Sequence, residues 1–327
     1  MTAVLLTCAG QRVDIVTAFR QAGAETIAVD VSPLAPALYH ADHRVLVPPY
    51  GSEEYVPRLT ELVREHGIGL VVPLTDLDMT VLAESRGELG ATVLLPDAEV
   101  VERSNDKYAT HLFLDRHAIG SPEAWLPDEL PEDLPFPLLV KPRRGFGSRN
   151  IFVASDRVEL DFHLARTPVA SFVERACRGE EFSIDVFCDL EGTCLNSIPR
   201  TMIESKGGES IKGMTIRDEE LIELGRRVAE TMGVHGPATI QCFRTAPGRH
   251  EVTDVNLRFG GAFPLPLAAG GGYPSLALAL ARGERPEPHV GSFREGILMT
   301  RFFSGVCLVE DEDGALEPLR EEVSPGR

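Results

Sequence analysis

Apolar and polar positions alternate with a period of two in His250-Glu251-Val252-Thr253-Asp254-Val255-Asn256-Leu257-Arg258, and Gly236-Pro237-Ala238-Thr239-Ile240-Gln241 just before it is equally strand-like. Ala246-Pro247-Gly248-Arg249 between them carries turn chemistry, so the two segments are predicted to form a hairpin. Counting outward from Pro247-Gly248 sets Gln241 opposite Asp254 and Thr239 opposite Asn256. Strict alternation then puts Asp254, Asn256 and Arg258 on one face and Glu251 on the other.

The first hundred residues follow a different rhythm. Apolar strand-like runs at 4–8, 26–30, 44–47, 70–73 and 92–95 are separated by amphipathic stretches that end at Gln21 and cover 53–66 and 79–89. Strand and helix in alternation predict an open parallel α/β layer. Ligands of such layers sit beyond the carboxyl ends of the strands, which nominates Gly10 to Arg12 and Asp76 for a small-molecule pocket. Asp76 could equally cap the helix that follows it.

A new unit begins near Glu99. Ser104-Asn105-Asp106-Lys107 opens a helix running to His117, and a proline-rich acidic connection covers 121–137. A strand then ends on Lys141-Pro142, a glycine- and arginine-rich segment covers 143–150, and a strand follows from Ile151 to Ala154. Residues 170–185 read as strand, connector and strand; Cys194 to Pro199 as a strand; Glu204 to Ser210 as a loop; and Asp218 to Met232 as an amphipathic helix.

Composition narrows the picture. The chain has 327 residues, 43% of them hydrophobic, an ordinary globular content with room for two or three subdomains. A net charge of −18, from 50 acidic and 32 basic residues, argues against nucleic acid or an anionic membrane as partner, so any phosphate site must be local. Six cysteines without C-x-x-C spacing read as buried thiols in a reducing, cytoplasmic setting. The N-terminus reads as a first strand with no basic region before it and not as a signal peptide. The long uncharged stretch from Gly260 to Ala281 is broken by glycines and prolines, and is predicted to be a loop and a short helix instead of a membrane span.

The chemistry lies in four places. Gln241, Asp254 and Asn256 offer two amide oxygens and a carboxylate, a set that suits Mg²⁺ shared with substrate phosphates, and Arg258 adds a phosphate-binding fork. Gly145, Gly147 and Ser148, between strands and among arginines, can fold over a polyphosphate; the loop leads into a strand and so is not a Walker A loop. The connector after Phe172-Val173-Glu174-Arg175-Ala176 can present backbone groups to an adenine edge, with Glu181 placed to accept from ribose hydroxyls. The turn Ala9-Gly10-Gln11-Arg12 lacks the glycines of a dinucleotide fingerprint, which disfavours a nicotinamide reading with Asp30 on the ribose.

In this order and spacing, the motifs resemble the ATP-grasp superfamily, particularly stand-alone proteins similar to the carbamoyl phosphate synthase large subunit. The resemblance covers nearly the whole chain. It implies an α/β protein with a Rossmann-like pre-grasp domain (1–100), a small α+β lid (101–180) and a C-terminal grasp subdomain on an antiparallel sheet (181–327). It further implies that Lys107 and Lys141 contact nucleotide phosphates, that Gly145 to Ser148 closes over them, and that Glu174 to Ala176 forms the hinge with Glu181 on the ribose. In the metal signature, Gln241 and Asp254-Val255-Asn256-Leu257-Arg258 take the family positions, with Asp254 one methylene shorter than the usual Glu, which favours one metal over two.

The implied cofactors are ATP and Mg²⁺, with Mn²⁺ as a substitute. The implied reaction is phosphorylation of a small carboxylate and its transfer to an amine or other nucleophile, with Lys141 and Arg258 in the catalytic role and no general base identifiable. Arg200, Lys206 and Asp76 suit the substrate, and family members are often homodimers. A kinase-like enzyme that releases a phosphorylated product and a non-catalytic nucleotide sensor are the alternatives.

Overall fold

The computed structural model describes residues 1–145, 150–206, 209–312 and 314–319, with only the backbone of Lys206 and Glu209. Gly147, Ser148 and the Lys206 side chain lie outside the described residues.

The first unit runs β1 (Ala3–Thr7), α1 (Val13–Gln21), β2 (Glu25–Asp30), β3 (His43–Leu46), α2 (Tyr55–His66), β4 (Ile68–Pro73), α3 (Met79–Glu84), α4 (Arg86–Leu89) and β5 (Thr92–Val93). Its strands are parallel in the order β3-β2-β1-β4-β5. Strand order reverses at β1, so the loops after β1 and β4 border the crevice where such sheets hold ligands. The Asp30 carboxylate accepts the N–H groups of Gly10 (2.8 Å) and Ser32 (2.9 Å) and braces the β1 loop.

Two helices follow, α5 (Ala98–Asn105) and α6 (Lys107–Arg116). The single helix predicted there is the second of the pair. Asp106 caps it, its carboxylate accepting from the Tyr108 and Ala109 amides. A small antiparallel sheet, ordered β6-β9-β7-β8, comes next, from β6 (Ala124–Trp125), β7 (Leu138–Pro142), β8 (Phe152–Ala154) and β9 (Ser171–Arg175). Helix α7 (Arg157–Arg166), which the apolar periodicity did not predict, packs on it. Asp156 caps α7 and Glu159 accepts the Ser155 N–H at 2.7 Å, close to a capping box.

The third unit is built on an antiparallel sheet ordered β11-β10-β14-β15, from β10 (Glu180–Cys188), β11 (Cys194–Thr201), β14 (Gly236–Ala246) and β15 (Arg249–Asn256). Between β11 and β14 lie β12 (Glu204–Lys206), β13 (Glu209–Met214) and α8 (Glu219–Met232). Glu204 to Lys206 and Glu209 to Ser210 are therefore paired strands and not loop, and β13 also pairs with β16 (Leu298–Thr300), a contact too distant in sequence to read from the segment itself. One sheet face, with Phe182, Ile184, Val186, Ala238, Ile240, Cys242, Val252 and Val255, buries itself in one core with Leu221, Val228 and Met232 of α8. Gly260 to Ala281 forms two short helices, α9 (Pro264–Ala268) and α10 (Tyr273–Ala281). No helix among the described residues is long and apolar enough to cross a membrane.

Candidate active site

The hairpin pairs Gln241 with Asp254 and Thr239 with Asn256, the register expected. Glu251 departs from expectation. The register shifts between Gln241 and Cys242, where two residues of β15 oppose one of β14. Such a bulge breaks the alternation, so Glu251 comes to the same face as Asp254. There it accepts from Arg175 Nη2 at 2.6 Å and from Cys177 Sγ at 3.4 Å, fastening the small sheet to the large one.

The face opposite the core opens into a cavity of 540 Å³ at the junction of all three units. The β1 loop supplies Arg12 and the β4 loop supplies Leu74, Thr75 and Asp76; α6 supplies Lys107; β7 and its loop supply Lys141 and Gly145; the large sheet supplies Arg200, Gln241, Asp254, Asn256 and Arg258. Residues far apart in sequence thus meet, as in the bonds from Arg12 to the carbonyls of Phe259 and Gly260, 247 and 248 positions away and both 2.9 Å.

Cations and carboxylates stand in pairs around this space. Lys107 Nζ lies 3.0 Å from Asp254 Oδ1, and Lys141 Nζ lies 3.1 Å from Glu174 Oε1. Arg258 approaches Asp76 at 3.4 Å and donates to Asn256 Oδ1 at 3.3 Å, so Asp76 is an ion-pair partner of Arg258; the helix-capping position belongs to Asp78. Burial pushes the Asp254 carboxyl up, but Lys107 and Lys141 outweigh it and hold the group below its ordinary range. For Glu174 the balance reverses: burial wins over Lys141 and its carboxyl stands above the ordinary value.

Asp254 is ionised and half-buried, with the Asn256 oxygen two residues on and Gln241 directly opposite. One carboxylate flanked by amide oxygens, facing a cavity ringed by cations, fits a single Mg²⁺ that takes its remaining ligands from phosphates and water. No cluster of three or more His, Cys, Asp or Glu occurs among the described residues.

The predicted nucleotide hinge is partly committed. The Arg175 N–H donates to the Glu123 carbonyl and the Ala176 N–H to that of Pro137. Glu181, at the start of β10, is outside the set that lines the cavity; burial raises its carboxyl and nearby Arg200 opposes the rise. Sequence reading missed Asp185, which is buried and bonded to Arg200 Nε at 2.7 Å. A lone acid in the apolar run Phe182 to Cys188 was the signal.

This architecture is the ATP-grasp fold, and two family models match parts of the chain. Residues 4–94 match the PylC-like N-terminal domain, and residues 170–302 match the model described as ATP-grasp in the biosynthetic pathway with Ter operon. Among individual proteins, the chain is similar to the carbamoyl phosphate synthase large chain of Thermus thermophilus, with 26% identity over 251 residues, 70% of this chain and 24% of that one. It therefore spans about a quarter of the length of the relatives it matches. The biotin carboxylase domain of Hydrogenobacter thermophilus 2-oxoglutarate carboxylase superposes with a TM-score of 0.71 at 17% identity, covering 89% of this chain and 72% of that one. The L-amino acid ligase of Bacillus licheniformis superposes with a TM-score of 0.66 at 20% identity, covering 86% and 74%.

Proposed function

We propose that the protein is an ATP-dependent ligase that activates a small carboxylate as an acyl phosphate and transfers it to an amine or related nucleophile, releasing ADP and phosphate. The observation that carries this reading is the meeting of Lys107, Lys141, Asp254, Asn256 and Arg258 on one cavity between three units of the chain. A carboxylate resists nucleophiles because it is anionic and its oxide is a poor leaving group; phosphorylation removes both obstacles. The phosphoryl donor needs positive charge around its oxygens and little else from the protein.

Asp254, Asn256 and Gln241 would hold Mg²⁺, which when bound offsets phosphate charge. Lys141 and Arg258 would add cationic stabilisation where charge develops in transfer. Both now lie beside carboxylates, so phosphate oxygens would draw on donors that are already charged and already oriented. Lys107 must leave Asp254 for that oxygen to serve a metal. Gly145 borders the cavity, and its loop is suited to close over the phosphates and exclude water.

The test is ADP release that requires both a carboxylate and an amine, with hydroxylamine trapping a hydroxamate when the amine is withheld. Oxygen-18 from the carboxylate should appear in phosphate. AMP and pyrophosphate as products, or label that stays out of phosphate, would refute the acyl-phosphate route. ADP release with carboxylate alone, giving a stable phosphorylated product, would favour the kinase-like alternative.

A further inference from the structure

Side chains cross an antiparallel sheet in rows. In the large sheet Arg200 stands opposite Ser183, Ser183 opposite Gln241, and Gln241 opposite Asp254. This row spans three strand spacings, about 14 Å between its end backbones. Opposed residues share a face, and Arg200, Gln241 and Asp254 all line the cavity. One end is the phosphate-handling end described above. The other end holds Arg200, which the sequence assigns to the substrate without saying which group it binds.

That end is built stiffly. Arg200 is only 3% exposed, and its Nε is held by Asp185 Oδ2 at 2.7 Å. The other Asp185 oxygen accepts from the Thr239 hydroxyl at 2.8 Å, and the Asp185 carbonyl accepts from the Tyr273 hydroxyl, also at 2.8 Å. Gly260 packs so closely that a Cβ there would stand 2.5 Å from Thr239 Oγ1 and 3.0 Å from Asp185 Oδ1. Both oxygens of the Asp185 carboxylate are therefore engaged. Arg200 Nη1 and Ser183 Oγ are buried, and neither has a hydrogen-bond partner among the described residues. A buried donor left unpaired destabilises a fold, and most are paired. Two of them, adjacent in a row that ends at the reaction face, point to an anion brought by a ligand.

We propose that Arg200 Nη1 and Ser183 Oγ hold a second, non-reacting carboxylate of the acceptor, making the substrate a small dicarboxylate or amino dicarboxylate. The proposal rests on the ligase reading. Its other carboxylate would be activated at the Asp254, Asn256 and Arg258 end. Leu74, Met202 and Ala262 also line the cavity and suit the short carbon chain between the two groups.

The test measures ADP release by the complete chain with Mg·ATP and hydroxylamine as nucleophile, so the natural amine need not be known. Succinate, glutarate, aspartate and glutamate are each compared with the matching half-amide. The dicarboxylate should be preferred by about tenfold or more in kcat/KM, the worth of a charge-assisted contact. Ser183→Ala and Arg200→Lys should each erase most of that preference. Ser183→Ala should do so with an unchanged or raised Tm, because it removes an unpaired hydroxyl, so misfolding cannot mimic the result. Equal use of half-amides, turnover with no member of the panel, or an undiminished preference in Ser183→Ala overturns the subsite. Calorimetric titration with Mg·ADP separates this from the parent reading: a chain that binds Mg·ADP and turns over half-amides keeps the ligase assignment and loses only the subsite.

Discussion

The Lys141–Glu174 pair shows how much one residue can carry. Both side chains are nearly inaccessible, at 9% and 5%, and the lysine also lies over the Phe172 ring, 5.7 Å from its centroid. Replacing Lys141 with Met leaves Glu174 buried without its counter-charge, and breaking such a pair costs about 3–5 kcal/mol. The cost depends on pH with a definite sign. The Glu174 carboxyl already stands above its ordinary value because burial outweighs Lys141, so the folded state holds its proton more tightly than the unfolded chain. Stability therefore falls as pH rises through the window between the two values, and losing Lys141 extends that window upward. Urea unfolding should show a larger deficit for Lys141→Met at pH 8 than at pH 5; equal deficits would mean the carboxyl is not the cause. Asp254→Asn tests chemistry instead of stability. It keeps shape and removes the charge, and should abolish Mg²⁺-dependent ADP release while leaving the circular dichroism spectrum and Tm near those of the parent. That Lys141 and Asp254 meet at one cavity was legible because lysines and acids in strands are rarely there for packing. Ser183 was not legible, since its importance comes from its neighbours on β11 and β14 and not from its own segment.

At the scale of elements, the same contrast between local and distant causes recurs. The β14–β15 register could be counted from a turn because both bulges lie within one hairpin and cancel by its far end. The side of Glu251 could not, since the bulge between them reverses the alternation. Helix α7 had a readable cap in Asp156, whereas Asp97 holds the N-cap position of α5 without a side-chain capping bond; α7 buries only Leu160 and so lacks a strong apolar stripe. Helix α8 was read from its stripe, and its packing gives an element-level prediction. A Cβ on Gly225 would stand 2.4 Å from Ser197 Oγ and 2.5 Å from Ile184 Cγ2. Alanine gains about 1 kcal/mol over glycine in a helix, while overpacking costs about 1–3 kcal/mol. The Ser197 hydroxyl also donates to the Ile222 carbonyl at 2.9 Å, a bond the intruding methyl would disturb. Gly225→Ala should therefore lower stability by about 1–2 kcal/mol net, seen as a fall in Tm. A rise in Tm would show that helix and sheet can separate slightly at no cost.

For the whole molecule, the cores differ in size in a way that bears on how the site closes. The small sheet has a core of five buried residues, Leu138, Val140, Ala154, Leu160 and Val173, whereas the parallel and large antiparallel sheets share two much larger clusters. Few buried apolar contacts mean a low free energy for local opening. The small sheet is tied to its surroundings by polar bonds: the Lys107 N–H to the Arg143 carbonyl at 2.8 Å, Arg143 to Asp106, and Arg175 to Glu251. We propose that this unit moves as a lid without disrupting the core beneath it. A nucleotide held by Lys141 and Gly145 on one side and by Asp254 and Arg258 on the other would bridge lid and body, adding its binding energy to the closed arrangement alone. Amide hydrogen exchange should therefore be faster in β7, β8 and α7 than in β10 and β14 of the free protein. Saturating Mg·ADP should slow the first group by tenfold or more while leaving β10 and β14 little changed, about what 1.4 kcal/mol of preferential binding to the closed state produces. Uniform exchange across both sheets, or protection by Mg·ADP confined to the large sheet, would show that the small sheet is a fixed wall, and water exclusion during phosphoryl transfer would then need another source.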